Sequence, residues 1–444
     1  YSNPLYYKNL ILAKVLNDMK VLFLLSEPPY PPTSGPKRAV SGWIHAATSI
    51  NQCAVIGFSN GERESQQWAE LPAHFNDLEV LGIVPRVSDG RLRINQLSHL
   101  FRMHPISFGQ FQSAEMETLL ARVIVEFQPD IVHFGVVHLI DFRSVCEKYG
   151  VATVLGAYNA FSLGSIRNYK VLGLNSPLSK AKHKYLYKSF NQIERREFPK
   201  FSTVFTVAET DTAWLNRQTP CLDAETVGIV VPAEMISNLS YQCRSRTENL
   251  HIVCMGYFIH EGIAQGAIEF IEHSWPLVTQ KSPGSELFVW SSSGFTRKLK
   301  RRIEHNHSIK PMNWVPDYLD ALDRTDIMIF PQQCDSGIQV KVQESLARGN
   351  AVVTTTTVAQ GLGISGGIHA LVCDSPKRMG PAVLELIANP SLRMQLGLQA
   401  REFIMQTFSQ DRITRDLNRI YLKAFDREML RRAAHTQQAD YDDI

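Results

Sequence analysis

Three residues late in the chain have the types and spacing to hold a charged ligand. In PQQCDSGIQVKVQESLARGNAVVTT (331–355), a strand ends at Phe330-Pro331, a loop passes Ser336-Gly337, and a helix runs to Arg348 before Gly349 stops it. Ile338, Val342 and Leu346 form its apolar stripe, while Gly337, Lys341 and Glu344 fall on another face about a turn apart. A helix start favours anions, and Lys341 adds a full positive charge there. The Glu344 carboxylate can accept hydrogen bonds from a pair of hydroxyls. Phosphate plus vicinal hydroxyls describes a nucleotide. Gln343 should point elsewhere on the helix. A solvated face with an incidental Lys and Glu is the other reading of this helix by itself.

A second stretch with chemical potential is SEPPYPPTSGPKRAVSGW (26–43), directly behind the apolar run Val21–Leu25. Four prolines make it a stiff, non-helical loop. Gly35 permits the backbone geometry from which phosphate-cradling loops are made, and Lys37 and Arg38 follow Pro36. The alternative is a surface loop that enters a helix at Ala39.

The elements that must position these residues alternate along the chain. Short buried-strand runs occur at Val21–Leu25, Ala54–Phe58, Ile131–Phe134, Thr153–Leu155 and Val204–Val207. Met116, Leu119, Leu120, Val123 and Phe127 repeat at helical spacing between two of them, giving strand, helix, strand in the order of a parallel sheet. The rhythm restarts at Ile252–Met255, Leu287–Trp290, Ile327–Phe330 and Ala351–Thr354. Between the series lies the polar PAEMISNLSYQCRSRTENL, which predicts a linker over 233–249. The expected organisation is an extension at 1–18, a Rossmann-like domain at 19–232, a second at 250–409, a helix at 410–432 and a loose tail at 433–444. Each α/β domain should bind ligands at the carboxyl ends of its strands, and the cleft between them is the default site.

Composition excludes several classes. A formal charge of +3 over 444 residues, without a long basic run, is too small to imply nucleic acid. Seven scattered cysteines without a CxxC pair disfavour a disulfide framework and a zinc site, and suit a reducing cytosol. No uninterrupted apolar run reaches the roughly 18 residues of a membrane span. Asp440-Tyr441-Asp442 has the form of a metal-binding DxD, but its place in the tail argues for chance. One mixed stretch, PRVSDGRLRINQLSHLFRMHPISF, combines Arg86, Arg91, Arg93 and Arg102 with apolar residues. It could dock on anionic headgroups, or its apolar side could pack into the domain.

In order and spacing, the sequence resembles the family 4 type of GT-B glycosyltransferases, especially the branch found in exopolysaccharide assembly. The loop after the first strand matches that family's PPYPP…SG pattern. HPISFGQFQSAEM and QPDIVHF match its acceptor-side helices and fourth strand, YNAFSLGSIRNY its His-Asn-x-Glu-Ser segment, and VAETDTAWL its VS…D…L. WVPDYLDALDRTDIMIFPQ and GIQVKVQESLARGNAVVTTTTVAQGL match its nucleotide-binding loop and helix. The match extends from Lys20 to Phe408.

What the resemblance implies is two doubly wound domains facing a central cleft, with the last helix crossing back to the first. Apolar Ile413, Leu417 and Ile420 would be buried by that crossing. It further implies a nucleotide-sugar donor on the second domain, a saccharide or lipid-linked saccharide acceptor on the first, retaining transfer without a metal or other cofactor, and polysaccharide biosynthesis at the cytoplasmic membrane face. By the same token Glu344 would hold the ribose, Val315 and Asp317 belong to the loop that meets the base, and Lys341 lies beside the diphosphate. Ser336 and Gly337 line the donor, and Gly35 approaches from the first domain. His133 is the catalytic histidine candidate, with His138 close to the same position. Lys37, Arg38, Asn159 and Ser162 are acceptor-side candidates.

The chain departs from the family's pattern at Pro36, which replaces an amide-donating glycine, and at Ser336, where the family has a glutamate. It departs again at Gln360 and at Ser291–Ser293. An active transferase is the first reading. A weak or inactive relative that binds a nucleotide or partners another transferase is the second, and a sugar-nucleotide epimerase is the third.

Overall fold

Continuous apolar runs, buried on both faces, set two parallel sheets. The computed structural model describes residues 19–172, 177–236, 250–313, 315, 317–334 and 336–442, the side chains of Asp89 and residues 435–442 excepted. The expected extension at 1–18 and most of the expected linker, 237–249, lie outside the described residues. Contacts divide the chain into two units, one formed by residues up to Ser162, Leu186–Val230 and Gln410 onward, the other by Leu163–Tyr185 and Val231–Ser409. The segment Leu163–Tyr185 thus belongs with the second unit although it is threaded through the first half of the sequence.

The first unit holds β1 (Lys20–Leu25), β2 (Gln52–Ser59), β3 (Leu78–Pro85), β4 (Ile131–Phe134), β5 (Ala152–Gly156), β6 (Thr203–Thr206) and β7 (Glu225–Thr226). They form one seven-stranded parallel sheet in the order β3-β2-β1-β4-β5-β6-β7. Phe23 pairs in register with Val55 on one side and His133 on the other. Helix α1 (Gly35–Thr48) starts at Ser34, whose side chain accepts from the Lys37 amide, and buries Ala39, Val40, Trp43 and Ile44. Helices α2 (Asp89–Phe101) and α3 (Ala114–Phe127) follow in this unit, while α4 (Phe161–Leu172) and α5 (Pro177–Arg196) carry the segment that belongs with the second.

The second unit holds β8 (Ile252–Met255), β9 (Leu287–Trp290), β10 (Ile309–Met312), β11 (Ile327–Phe330), β12 (Ala351–Thr355) and β13 (Leu371–Cys373), all parallel, in the order β10-β9-β8-β11-β12-β13. Ile252, Val289, Ile329 and Val353 pack with Trp275 and Leu396 in its core. Helices α6 (Glu261–Glu269), α7 (Tyr318–Asp323), α8 (Val340–Ala347) and α9 (Thr356–Leu362) carry or back its loops.

The last helix, α10 (Gln410–Asp442), packs on α1 and across β4, β5 and β6 of the first unit. Ile413, Leu417 and Ile420 are buried, and so are Tyr421, Ala424 and Phe425. Its polar side is tied down by Lys423 and Arg427, which pair with Asp223 at 2.8 and 2.6 Å. The helix does not stop at 432: it runs through the expected loose tail as far as Asp442. Three Ala and two Gln stand in that stretch, and no Gly or Pro interrupts it.

In each sheet the strand order reverses once, between β1 and β4 and between β8 and β11. Loops at the carboxyl ends of these strand pairs are where open α/β sheets bind ligands.

Candidate functional site

In the second unit, the loop leaving β11 is pinned before it reaches α8. The Thr354 hydroxyl donates to the Phe330 carbonyl at 3.1 Å, and the Thr355 hydroxyl donates to that of Gln332. Ser336 is buried, and Gly337 sits at φ +75°, the left-handed region that favours glycine. Helix α9 backs this turn so closely that a Cβ on Gly361 would lie 2.5 Å from the Gly337 carbonyl oxygen. Helix α8 then begins after Gln339, which makes no side-chain capping bond to its first turn.

Lys341, in the first turn of α8, is half-buried, and Glu344 three residues on is 3% exposed. Glu344 Oε2 accepts a 2.8 Å hydrogen bond from the Tyr318 hydroxyl. Tyr318 opens α7, and Asp317 caps that helix by accepting from the Asp320 amide at 3.0 Å. Asp317 therefore spends its carboxylate on the helix that presents Tyr318. Val315, half-buried, precedes it. Arg348 Nε donates to Asp323 at 2.8 Å and fastens the far end of α8 to the end of α7. Gln343, expected to point elsewhere on the helix, is 1% exposed, because α8 is enclosed on nearly all sides.

The loop after β8 contributes no cation, since Gly256 to Gln265 contains neither Lys nor Arg. Beside it, Ser291 Oγ donates to the Gly294 carbonyl at 2.6 Å and accepts from the Phe258 amide at 3.4 Å, so the first serine of SSS holds the turn after β9.

In the first unit, Gly35 and Pro36 form the opening of α1, and the Pro36 carbonyl accepts from the Tyr158 hydroxyl. Tyr158, at the end of β5 with φ +60°, is buried and packs its ring 5.2 Å from Trp43. Burial, then the nearby Glu27 charge, raise its phenol well above the ordinary value. Lys37 Nζ lies 3.6 Å from Glu27, and the two line a pocket of about 20 Å³ with Ser26, Pro29, Val136 and Tyr158. That volume admits about one water-sized group. Arg38, half-buried, sits in the same first turn. Asn159 follows Tyr158 and is half-buried.

His133 and Ser162 stand apart from these loops. His133 is fully buried on β4, ringed by Phe23, Trp43 and Phe205, and its Nδ1 lies 2.8 Å from the Tyr421 hydroxyl of α10. Burial pushes its pKa down to about 3. A neutral imidazole sealed in an aromatic cage does not touch a ligand, so the geometry assigns His133 to the core. His138 lies beyond the carboxyl end of β4, in a 3-10 turn at Val137–Phe142, half-buried against Phe108 and Phe111, and burial pushes its pKa down to about 4. Ser162 is also fully buried: its amide donates to Glu194 Oε1 at 2.9 Å, its hydroxyl donates to Oε2, and it accepts from Trp214 Nε1 at 2.8 Å. With Asp211 accepting from the Ala160 amide at 2.6 Å, these carboxylates serve the start of α4 rather than an acceptor.

Residues 249–389 match the family model described as Glycosyl transferases group 1. Among solved structures, HepE of Anabaena, crystallised with UDP and glucose, is similar with a TM-score of 0.64 at 12% identity, covering 90% of this chain and 98% of that one. The fold is GT-B. Two further structures share it: the sucrose-phosphate synthase of Thermosynechococcus elongatus (TM-score 0.64, 13% identity, 91% and 99% covered) and a glycosyltransferase of Rickettsia africae (0.62, 15%, 92% and 99%). No curated protein matches the sequence. The part of this GT-B chain that matches the group 1 model contains all of β8 to β13 and so includes Tyr318, Lys341 and Glu344.

Proposed function

We propose that this GT-B protein is a glycosyltransferase that moves a sugar from a UDP-sugar to a saccharide or lipid-linked saccharide acceptor in polysaccharide assembly, with retention and without a metal. The observation that carries the reading is Glu344, held by Tyr318 and one helical turn from Lys341, at the strand reversal of a unit matching the group 1 transferases. UDP is chosen because HepE was crystallised with it.

In this reading Glu344 accepts from the ribose hydroxyls and Lys341 faces the diphosphate. The bond from the sugar's anomeric carbon to the diphosphate oxygen breaks, and its electron pair leaves with the diphosphate. The acceptor hydroxyl oxygen bonds to the same carbon on the same face, and its proton passes to the departing phosphate oxygen. Negative charge on the diphosphate grows through this step, so the Lys341 ammonium stabilises the transition state more than the bound donor.

A second reading, a nucleotide-binding relative with little turnover, is favoured by the cation-free loop after β8 and by the burial of His133. Incubation with radiolabelled UDP-, GDP- and TDP-sugars, with and without a lipid extract, separates the two. Hydrolysis or transfer supports the first, and binding without turnover supports the second. Absence of both binding and turnover with every donor overturns the proposal.

A further inference from the structure

Helix α2 is built with its apolar side outward. Ile94, Leu97 and Phe101 recur at i, i+3 and i+7, which stacks them on one face, and they are 68%, 56% and 87% exposed. Leu100, Met103 and Ile106, at the end of the helix and just past it, are exposed as well. The side that α2 turns to its own unit carries Leu92, half-buried, with polar Asn95 and His99. Asn95 Nδ2 donates to the Gly109 carbonyl at 3.0 Å and to that of Gln112 at 3.3 Å, and His99 is fully buried beside Phe108. Packing within the unit therefore does not explain the apolar stripe, and monomer surfaces rarely leave such a contiguous patch without a use.

Charge says what covers it. Helical spacing puts Arg91 and Arg102 along one flank of the stripe and Arg93 along the other, and all three are exposed. Arg86 is engaged elsewhere, paired with Glu64 at 3.2 Å. From Arg86 to Ser113 the one carboxylate in the sequence is Asp89. An apolar ridge rimmed by guanidinium groups suits the boundary of an anionic bilayer, where apolar side chains enter the acyl region and arginine stems reach back to the headgroups. A second copy of the same face would bring like charges together without carboxylates to offset them. Among the described residues no helix is long and apolar enough to cross a membrane, so the contact would lie in the plane of the surface.

We propose that α2 docks this protein on an anionic lipid surface. The purpose of that docking, delivery of a lipid-linked acceptor, rests on the transferase reading; the docking itself does not. The test is flotation of the full chain with vesicles of phosphatidylcholine alone and of phosphatidylcholine with phosphatidylglycerol, at low and high salt. The protein should float with the anionic vesicles and be released from them by salt. The variant Arg91→Gln/Arg93→Gln/Arg102→Gln should bind them about a hundredfold more weakly at low salt, roughly fivefold per arginine. Ile94→Ser/Leu97→Ser/Phe101→Ser should not float, and Leu97→Trp should shift its emission to the blue on anionic vesicles only. Equal wild-type flotation on both vesicles, or undiminished flotation of the serine variant, overturns the proposal. So does concentration-dependent self-association that the serine variant abolishes, which would assign the face to a second copy. UDP calorimetry on the same variants keeps the readings apart: intact UDP binding without docking sinks only the lipid proposal, and docking without UDP binding sinks only the nucleotide one.

Discussion

The Tyr318 hydroxyl donates a 2.8 Å hydrogen bond to Oε2 of Glu344, joining the first residue of α7 to a carboxylate almost sealed within α8. The bond fixes where the carboxylate points. Tyr318→Phe should weaken UDP binding by up to about tenfold, or roughly 1.4 kcal/mol, raising KM with little change in kcat. Titration calorimetry with UDP reads this directly, and wild-type affinity in the variant would show that Tyr318 does not position the site.

Lys341→Ala and Glu344→Ala should differ in kind. Each removes a charged hydrogen-bonding group, so each should lower donor affinity by about ten- to a hundredfold. Only Lys341 meets the charge that grows as the diphosphate leaves, so its loss should depress kcat as well, while loss of Glu344 should act mainly on KM. Lys298, exposed on another helix of the second unit, is the control, because the neighbouring Gln343 is buried and its replacement would disturb packing. Unchanged UDP affinity in both variants, with intact circular dichroism, would place the nucleotide elsewhere.

The His133–Tyr421 pair predicts a definite acid limb in stability. The imidazole is held down at about 3 by burial, whereas it titrates near 6.5 when exposed. On acidification the unfolded chain therefore binds the proton first. The contribution of this group is complete above about pH 6.5 and lost toward pH 3, with a slope of about 1.4 kcal/mol per pH unit. Tyr421→Phe should cost about 1–3 kcal/mol at pH 7, because it strands a buried ring nitrogen. The double variant His133→Phe/Tyr421→Phe should cost much less and flatten the acid limb by about one proton. Urea unfolding at a series of pH values measures both; an unaltered limb in the double variant would refute the assignment.

Glu194 should act in the opposite direction. Burial lifts its carboxyl to about 7, against the two hydrogen bonds from Ser162 that favour the charged form, and Asp211 adds to the rise. Its unfolded value is near 4.5, so its contribution is fully present below that pH and lost as the pH rises through 7. Glu194→Gln should gain on the wild type over that window, by an amount on the order of 1–3 kcal/mol. Trp214, bonded to Ser162, gives a local fluorescence signal of the same titration. Stability curves that run parallel from pH 5 to 8 would exclude it.

Sequence showed the central strands because their apolar runs are unbroken. It did not show β3, β7, β10 or β13. Strand β3 is only half covered, β7 is two residues long, β10 carries Lys310 and Pro311 at a sheet edge, and β13 is only partly buried. The Lys341–Glu344 spacing was legible because a helix repeats every 3.6 residues. Tyr318 was not, because it lies 26 residues from Glu344 and no period links them. His133 illustrates the same gap more strongly. Ile131-Val132-His133-Phe134 reads as a strand with one functional group in it, and nothing local reveals the phenol 288 residues away that accounts for it. For α2 the periodicity fixed which residues share a face, but only the fold shows that this face is outward.

Helix α10 also sets an order of events during synthesis. The surface of the first unit formed by Trp43, His133 and Phe205 receives Tyr421 and its neighbours from a stretch of chain made after the second unit. The second unit ends at Ser409 and can consolidate while that stretch is still in the ribosomal tunnel. The half translated first is thus finished second. In the interval its sheet presents an aromatic surface to solvent, so a chain halted at Ser409 should bind hydrophobic dyes and holding chaperones more strongly than the full chain does.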